Sequence, residues 1–520
     1  MRRETSVASS DATTRYLARV FWAIGVLLFA IKLHLAATLA PFGDEAFYWQ
    51  ESRALAWSYT DVPPATALLI RLGEILFGHS PLGMRSLFLL LGSALPLLVA
   101  ALGRHFGDRR AGLIAGIGWQ LLPLAGTLGV MALPDVPLTF AALLMLHGLL
   151  QATAQQRSGW LWLGLGLLLA WLSHYRAAML LPGGLGFLLC SRQGRALWSR
   201  PGLWGALALG FCGLLPLLLF NRAHDWSGLS FQLVERHPWQ FHADGLLQPV
   251  EQLLVCTPLL YVLMLYALGQ CARCREEATY AVLAWSGGSV VLGYFLFGLF
   301  GDDLRFRLHW PLPAYAPALL ALGLLLSAGR LRRAWLYAAL VLAGAGLACA
   351  LVYLGMAAQP GQALRLASYK AFPYNFVGWN EVAARTRELM ALQPDAARLL
   401  LADNFLLGAE LDFQFDAALP VYSLDHPRNV KHGRAPQLAL WQRDEAGLRA
   451  AHAGARVLLI VEETTGSERE RLPWQQGLCR RLHALQPLDR LELFGGRKRF
   501  AWYLGRVPAV GEQPDCAPAP

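Results

Sequence analysis

The stretch PFGDEAFYWQESRALAWSYTDVPP, residues 41–64, sets Asp44, Glu45, Glu51 and Asp61 among aromatics and prolines, directly after a strongly apolar run. Carboxylates in such a place can take a proton from a hydroxyl nucleophile or hold a cation in position. Asp135, in MALPDVPL, is flanked by Pro134 and Pro137 and otherwise by apolar residues. A carboxylate at mid-bilayer costs about 3 kcal/mol on insertion scales, and less at the interface. A solvated loop acid near a helix start, favoured by the helix dipole, explains one such residue. A helix N-cap explains Asp135 taken alone. Two acids at the same membrane level, each beside a spanning segment, favour a catalytic pairing of Asp44 with Asp135, with Glu45 next to the first.

Groups of the opposite sign accompany them. Arg305 and Arg307 lie two apart in GDDLRFRLHW, so in an extended loop both point to one side. Guanidinium groups suit forked contacts with phosphate oxygens; the alternative is snorkelling to lipid headgroups. His309 follows, and then Tyr315 in PLPAYAP. His174, Tyr175 and Arg176 interrupt an apolar sequence, either lining a cavity or simply joining two helices. In Tyr59-Thr60-Asp61-Val62-Pro63-Pro64 the proline pair fixes an extended turn and holds Asp61, which otherwise reads as an exposed turn acid. Arg71 stands in the amphipathic ATALLIRLGEILFG that follows. Lys32 and His34, inside the first apolar run, face a bundle interior or snorkel outward. His224, His237 or His242 could join Asp61 on a divalent metal, but no ligand spacing is fixed, so metal use stays open. There is no Walker loop, zinc-protease motif or nucleophile elbow.

The elements that must carry these groups are membrane helices. Of 520 residues, 55% are hydrophobic and 15% charged, with mean hydropathy +0.39. From about Val20 to Met356 the chain is a series of apolar runs, each near the roughly 20 residues of a spanning helix. About eleven are expected, roughly 20–39, 81–103, 111–129, 133–152, 159–174, 177–190, 202–220, 250–270, 279–299, 310–328 and 334–355. No small-residue cleavage site follows the first run, so it reads as a retained helix. The expected division is a multi-spanning membrane domain, 1–356, and a soluble α/β domain, 357–520. In the second, WNEVAARTRELMAL has helical spacing, and ARLLLADN, ARVLLIVEE and LDRLELFG read as strands.

Charge sets the topology. Arg2, Arg3, Arg15, Arg19, Arg104, Arg109, Arg110, Arg157, Arg192, Arg195, Arg200, Arg273, Arg275, Arg330, Arg332 and Arg333 fall in one alternate set of short loops. The positive-inside rule puts that set, and the N-terminus, in the cytoplasm. An odd helix count then sends the C-terminal domain to the periplasm of a bacterial inner membrane. The net charge of +10 is a topology signal and points to no nucleic-acid partner. Of the eight cysteines, Cys271 and Cys274 form an isolated CxxC, and Cys479 could pair with Cys516 in an oxidising compartment.

DEAFYW after the first helix, Y-x-D-x-PP downstream, LPDVPL and HWPLPAY together resemble the polyprenol-phosphate-dependent glycosyltransferases of the GT-C superfamily, which include the protein O-mannosyltransferases and the lipid A aminoarabinose transferases. The resemblance covers the membrane domain, with a weaker likeness in ADNFLLGAELDF and PVYSLDHPRNVKHGRAPQLALW. It implies transfer of a sugar from undecaprenyl phosphate to a lipid A, core-oligosaccharide, glycan or protein acceptor on the outer side. Asp44 matches the family's catalytic loop acid and Asp135 its second acid. Arg305, Arg307 and His309 match the donor-phosphate region by position. Val62 stands where related members often carry His or Lys, and Arg71 or Arg176 could compensate. A transporter or flippase of lipid-linked glycans is the competing class, with a non-catalytic scaffold behind it. A flippase would place functional charge near the midplane, often between repeats, whereas here the charges gather at one face.

Overall fold

The computed structural model describes residues 2–512 except 238, 302–307, 394–398, 465, 467 and 510. Arg305, Arg307 and Cys516 lie outside the described residues. The chain divides into two compact units. One holds residues 1–37, 62–69 and 85–353, the other 38–61, 70–84 and 354–520. The second unit thus takes in two N-terminal segments besides residues 354–520. The physical reason is packing: Ala46 and Phe47 share a buried core with Trp379, Leu407, Phe500 and Trp502.

The first unit is helical. Among the described residues six helices are long and apolar enough to cross a membrane: Ala12–Thr38, Pro81–Phe106, Asp135–Thr153, Pro201–Ala223, Ala278–Phe300 and Arg333–Ala357. The other apolar runs form shorter or broken helices. The 250–270 run is a pair, Ala243–Cys256 and Pro258–Arg273, bent by 114°. Thr257 adopts a positive φ of 69° at the break and Pro258 follows it, so no helical hydrogen bond spans the joint. Ser158–Ser173, Tyr175–Cys190 and Leu312–Ser327 are shorter apolar helices. The 111–129 run breaks at Leu122-Pro123, between helices Arg109–Leu121 and Pro123–Gly126. Small residues set the closest approach. A Cβ on Gly148 would lie 2.2 Å from the Leu163 backbone nitrogen, so Asp135–Thr153 and Ser158–Ser173 pack backbone against backbone.

The second unit contains a five-stranded sheet. Its strands are β1 (Leu400–Ala402), β2 (Val421–Ser423), β3 (Arg456–Glu462), β4 (His483–Leu493) and β5 (Lys498–Arg506), in the order β2-β1-β3-β5-β4. β1 runs parallel to both β2 and β3, while β5 is antiparallel to β3 and β4. The helix at 379–392 and the strands expected around 400, 458 and 490 are present. β1 and β3 are continuous apolar runs because both are interior strands of the sheet. Helices Gly43–Arg53 and Phe405–Gln414 lie against each other, and a side chain on Gly43 would collide with Leu406, its Cβ 2.6 Å from Leu406 Cγ.

Candidate functional site

Each unit holds one of the two acids, and each acid is tied to an arginine. In the second unit, Asp44 occupies the first turn of helix Gly43–Arg53. Asp44, Tyr48 and Glu51 recur at i, i+4 and i+7, one face of that helix. Arg434 reaches this face from the tail. Its Nη2 donates to Asp44 Oδ1 at 2.9 Å and its other terminal nitrogen pairs with Asp61. Its guanidinium lies 4.4 Å from the Phe47 ring centroid and 5.1 Å from that of Tyr48. The arginine side chain is 4% exposed and Asp61 6%, whereas Asp44 is 36% exposed. Asp44 is thus the member of the trio that solvent or a substrate can reach. Thr60 fastens the Asp61 turn to the tail: its N–H donates to Gln437 Oε1 at 3.1 Å and its hydroxyl to the Gly433 carbonyl at 3.3 Å.

Glu51 belongs to this group too. Its carboxyl is fully buried and neither oxygen has a hydrogen-bond partner among the described residues. Burial holds it well above the usual carboxylate range; Arg434 offsets this in part and Asp44 adds to it. Burial likewise pushes the Tyr48 phenol up to about 12.

Two residues expected at the chemistry serve the scaffold here. Glu45 Oε2 accepts the Phe42 N–H at 2.9 Å and so caps its own helix. Tyr59 is fully buried; its hydroxyl donates to the Glu51 carbonyl at 2.9 Å and accepts from Ala56 N at 3.2 Å. Arg71 is half-buried and joins neither cluster.

In the first unit Asp135 opens helix Asp135–Thr153, with Pro134 as the residue before it, so it sits in the first turn and is not the N-cap. Arg176 Nη2 donates to Asp135 Oδ1 at 2.9 Å, and His309 Nε2 lies 3.6 Å from Oδ2. The Asp135 side chain is 9% exposed, Arg176 10% and His309 39%. His174 caps the Tyr175–Leu180 turn by accepting the Arg176 N–H at Nδ1, 3.0 Å away, and its Nε2 faces the same arginine's side-chain Nε at 3.3 Å. The indole of Trp310 carries two guanidinium groups, Arg176 at 5.5 Å and Arg236 at 5.4 Å from its centroid. Asp135, His174, Arg176 and His309 are therefore brought together as expected, and Arg236 joins them.

The Tyr175 hydroxyl accepts from Asn221 Nδ2 at 3.5 Å. Tyr315 is buried in the helical core, where its hydroxyl donates to Gln252 Oε1. Lys32 is buried and His34 exposed. Among the described residues no group of three or more His, Cys, Asp or Glu is arranged to hold a metal ion.

Arg434 and Arg236 carry the charge that the sequence did not disclose. Arg236 lies in a long polar loop with several histidines, and Arg434 in a tail segment with no periodic pattern. A basic residue near aromatics in each segment is the only signal either offers.

Residues 61–220 match the family model described as dolichyl-phosphate-mannose-protein mannosyltransferase. The chain is 29% identical over 301 residues to the lipid A galacturonosyltransferase RgtD of Rhizobium johnstonii. That match takes in 55% of the chain and spans 60% of the relative's length. Among solved structures the chain is similar to ArnT from Cupriavidus metallidurans bound to undecaprenyl phosphate, with TM-score 0.66, 13% identity, and 93% and 97% of the two chains covered. The apo state of the same protein gives TM-score 0.62 at 15% identity, covering 94% and 98%. The fold is that of ArnT over nearly the whole chain, and the chain is a multi-pass membrane protein.

Proposed function

With the GT-C fold as its scaffold, we propose that the chain is a glycosyltransferase that moves a sugar from a polyprenyl phosphate carrier to an envelope acceptor. The observation that carries the reading is the pair of arginine-held acids, Asp44 with Arg434 and Asp135 with Arg176. The family match and the likeness to a lipid A transferase and to ArnT support it. The donor is a polyprenyl (undecaprenyl) phosphate sugar; the acceptor is a lipid or glycan such as lipid A, lipopolysaccharide core, or a protein. The compartment is the bacterial inner membrane, with the N-terminus cytoplasmic and the sheet-bearing unit periplasmic.

Residue roles follow from chemistry. The acceptor hydroxyl attacks the anomeric carbon and gives its proton to the Asp44 carboxylate. The bond from that carbon to the phosphate oxygen breaks, and its electron pair leaves with the phosphate. A phosphate leaving group needs little general acid; it needs cations. In the first unit Arg176, held in orientation by Asp135, is a cation of that kind. Arg305 and Arg307, outside the described residues, keep their place as further phosphate contacts by position. One displacement inverts the anomeric centre. Val62, buried and apolar, offers no ligand contact of the kind that His or Lys would supply.

The test uses purified full-length protein, a labelled polyprenyl phosphate sugar and a lipid A acceptor. Release of polyprenyl phosphate together with a labelled, inverted product is expected, and Asp44→Asn abolishes both while the protein stays folded. Translocation of the lipid-linked sugar across a vesicle without bond cleavage would replace this reading with that of a flippase.

A further inference from the structure

The sheet-bearing unit contains a cavity that the transfer reaction does not use. From β1 the chain crosses through helix Phe405–Gln414 to β2 on one side, and later returns to place β3 on the other side of β1. The connections therefore leave β1 and β3 in opposite directions. At such a switch point a crevice opens beyond the carboxyl ends of the parallel strands, where open α/β sheets bind ligands. Here those ends carry Asp403-Asn404 just after β1 and Glu462 as the last residue of β3. A cavity of about 310 Å³, lined by Tyr374, Asn375, Trp379, Arg428, Glu462 and Lys498, lies at Glu462. That is the low end of the roughly 300–1,000 Å³ typical of small-molecule sites, enough for a sugar-sized ligand.

The amides of the Phe405–Gln414 helix start are already occupied. Asn404 Oδ1 accepts from Leu406 N at 3.0 Å, and Asn429 Oδ1 accepts from Phe405 N at 2.9 Å. Recognition thus falls to side chains. Lys498 is 1% exposed, and its Nζ makes no hydrogen bond among the described residues. The ammonium sits 3.6 Å from Glu462 Oε1 and 3.2 Å from the Trp379 ring centroid. Gly378 makes room for its stem, since a Cβ there would lie 2.9 Å from Lys498 Cδ. A buried ammonium costs several kcal/mol, and the charges of Glu462 and of the buried Glu410, without a hydrogen bond, compensate it poorly. A ligand oxygen would complete its shell. Arg428, half-exposed on the same wall, offers a planar fork for a carboxylate or phosphate. Glu462 and Asn375 can take hydroxyl hydrogens, and Asn375 and Tyr374 can donate in return.

We propose that this cavity binds an acidic saccharide, with the anionic group on Arg428 and Lys498 and the ring hydroxyls on Glu462 and Asn375. The site stands independently of the transfer reaction. The test is titration calorimetry on the detergent-purified full chain with galacturonate, glucose 6-phosphate, galactose and inorganic phosphate. Binding of galacturonate or glucose 6-phosphate at millimolar concentration is expected, and which of the two binds identifies the anionic group. Arg428→Ala, on the half-exposed wall, is expected to weaken that binding at least about tenfold, the lower range for a lost charged hydrogen bond. Lys498→Met is expected to do the same, and its Tm reports separately whether the core survives. Failure of both acidic sugars to bind, equal binding of galactose, or affinity unchanged in Arg428→Ala would each overturn the proposal. Inorganic phosphate binding as tightly as the sugars would overturn its saccharide part.

Discussion

Arg434 pairs with two of the opening carboxylates, Asp44 and Asp61, so replacing it exposes the energetics of the whole cluster. Arg434→Gln keeps most of the volume and removes the charge. Asp44 is about a third exposed, and water screens its side of the interaction to at most ~1 kcal/mol. Asp61 is 6% exposed and stays buried when its partner goes. Breaking a buried pair by removing one member typically costs about 3–5 kcal/mol, because a charge is left uncompensated. Glu51 adds a second buried carboxyl that Arg434 now partly offsets. The expected loss is therefore about 3–5 kcal/mol, carried mainly by Asp61. Thermal or denaturant unfolding in detergent micelles, followed by tryptophan fluorescence, measures it; Trp379 and Trp502 report on the same unit. Asp61→Asn in the Arg434→Gln background should recover a large part of the loss, and Asp44→Asn little of it. If Arg434→Gln unfolds within about 0.5 kcal/mol of the parent, the cluster is not a buried charge network and the reasoning fails.

Glu51→Gln should stabilise the protein at neutral pH. Because the folded-state pKa of Glu51 is raised, the folded protein holds its proton longer than the unfolded chain. The parent's stability is then fully present below the unfolded pKa of about 4.3 and falls as pH rises towards the folded value. The gain in Glu51→Gln should grow with pH from that point; a Tm difference that is flat across the range contradicts the assignment. Asp135→Asn and Arg176→Ala should each lower the turnover of polyprenyl phosphate release by about 10²-fold or more, the scale of a lost charge-stabilising group. Steady-state transfer assays check this, and turnover within twofold of the parent removes the pair from the mechanism. Tyr59→Phe should cost about 1–3 kcal/mol in unfolding experiments, since the buried Glu51 carbonyl loses its donor and Ala56 N its acceptor. An unchanged Tm would show that the hydroxyl does not hold the turn.

Asp44 and Asp135 were legible because a carboxylate beside an apolar run is costly wherever it lands, so its presence asks for a reason. His174, Arg176 and His309 were legible as polar breaks in apolar sequence. Arg434 was not, because it meets Asp44 across 390 residues of chain and nothing local marks that encounter. The hydrogen bonds of Tyr59 and Tyr315 were hidden for a related reason: a tyrosine beside a motif looks the same whether its hydroxyl meets a ligand or ties a buried carbonyl or amide. Helix number was read from apolar composition, which does not see the turn at Thr257-Pro258 or the break at Leu122-Pro123. The interior strands β1 and β3 announced themselves by unbroken apolar runs. β2, with three residues, is too short to carry a pattern, and β5 mixes charge with aromatics along KRFAWYLGR.

The helix that presents Asp44 leaves the ribosome well before the tail that supplies Arg434 and the sheet. At about 5–20 residues per second, the roughly 300 residues between them take tens of seconds to make. For that interval Ala46 and Phe47 have no core to enter. This unit therefore closes only once the tail has been made, with an earlier segment waiting for its partner. A tail fragment beginning near residue 354, expressed alone, would keep its strands but carry an open apolar slot where Ala46 and Phe47 belong. Such a fragment should aggregate unless a peptide spanning 38–61 is supplied in trans.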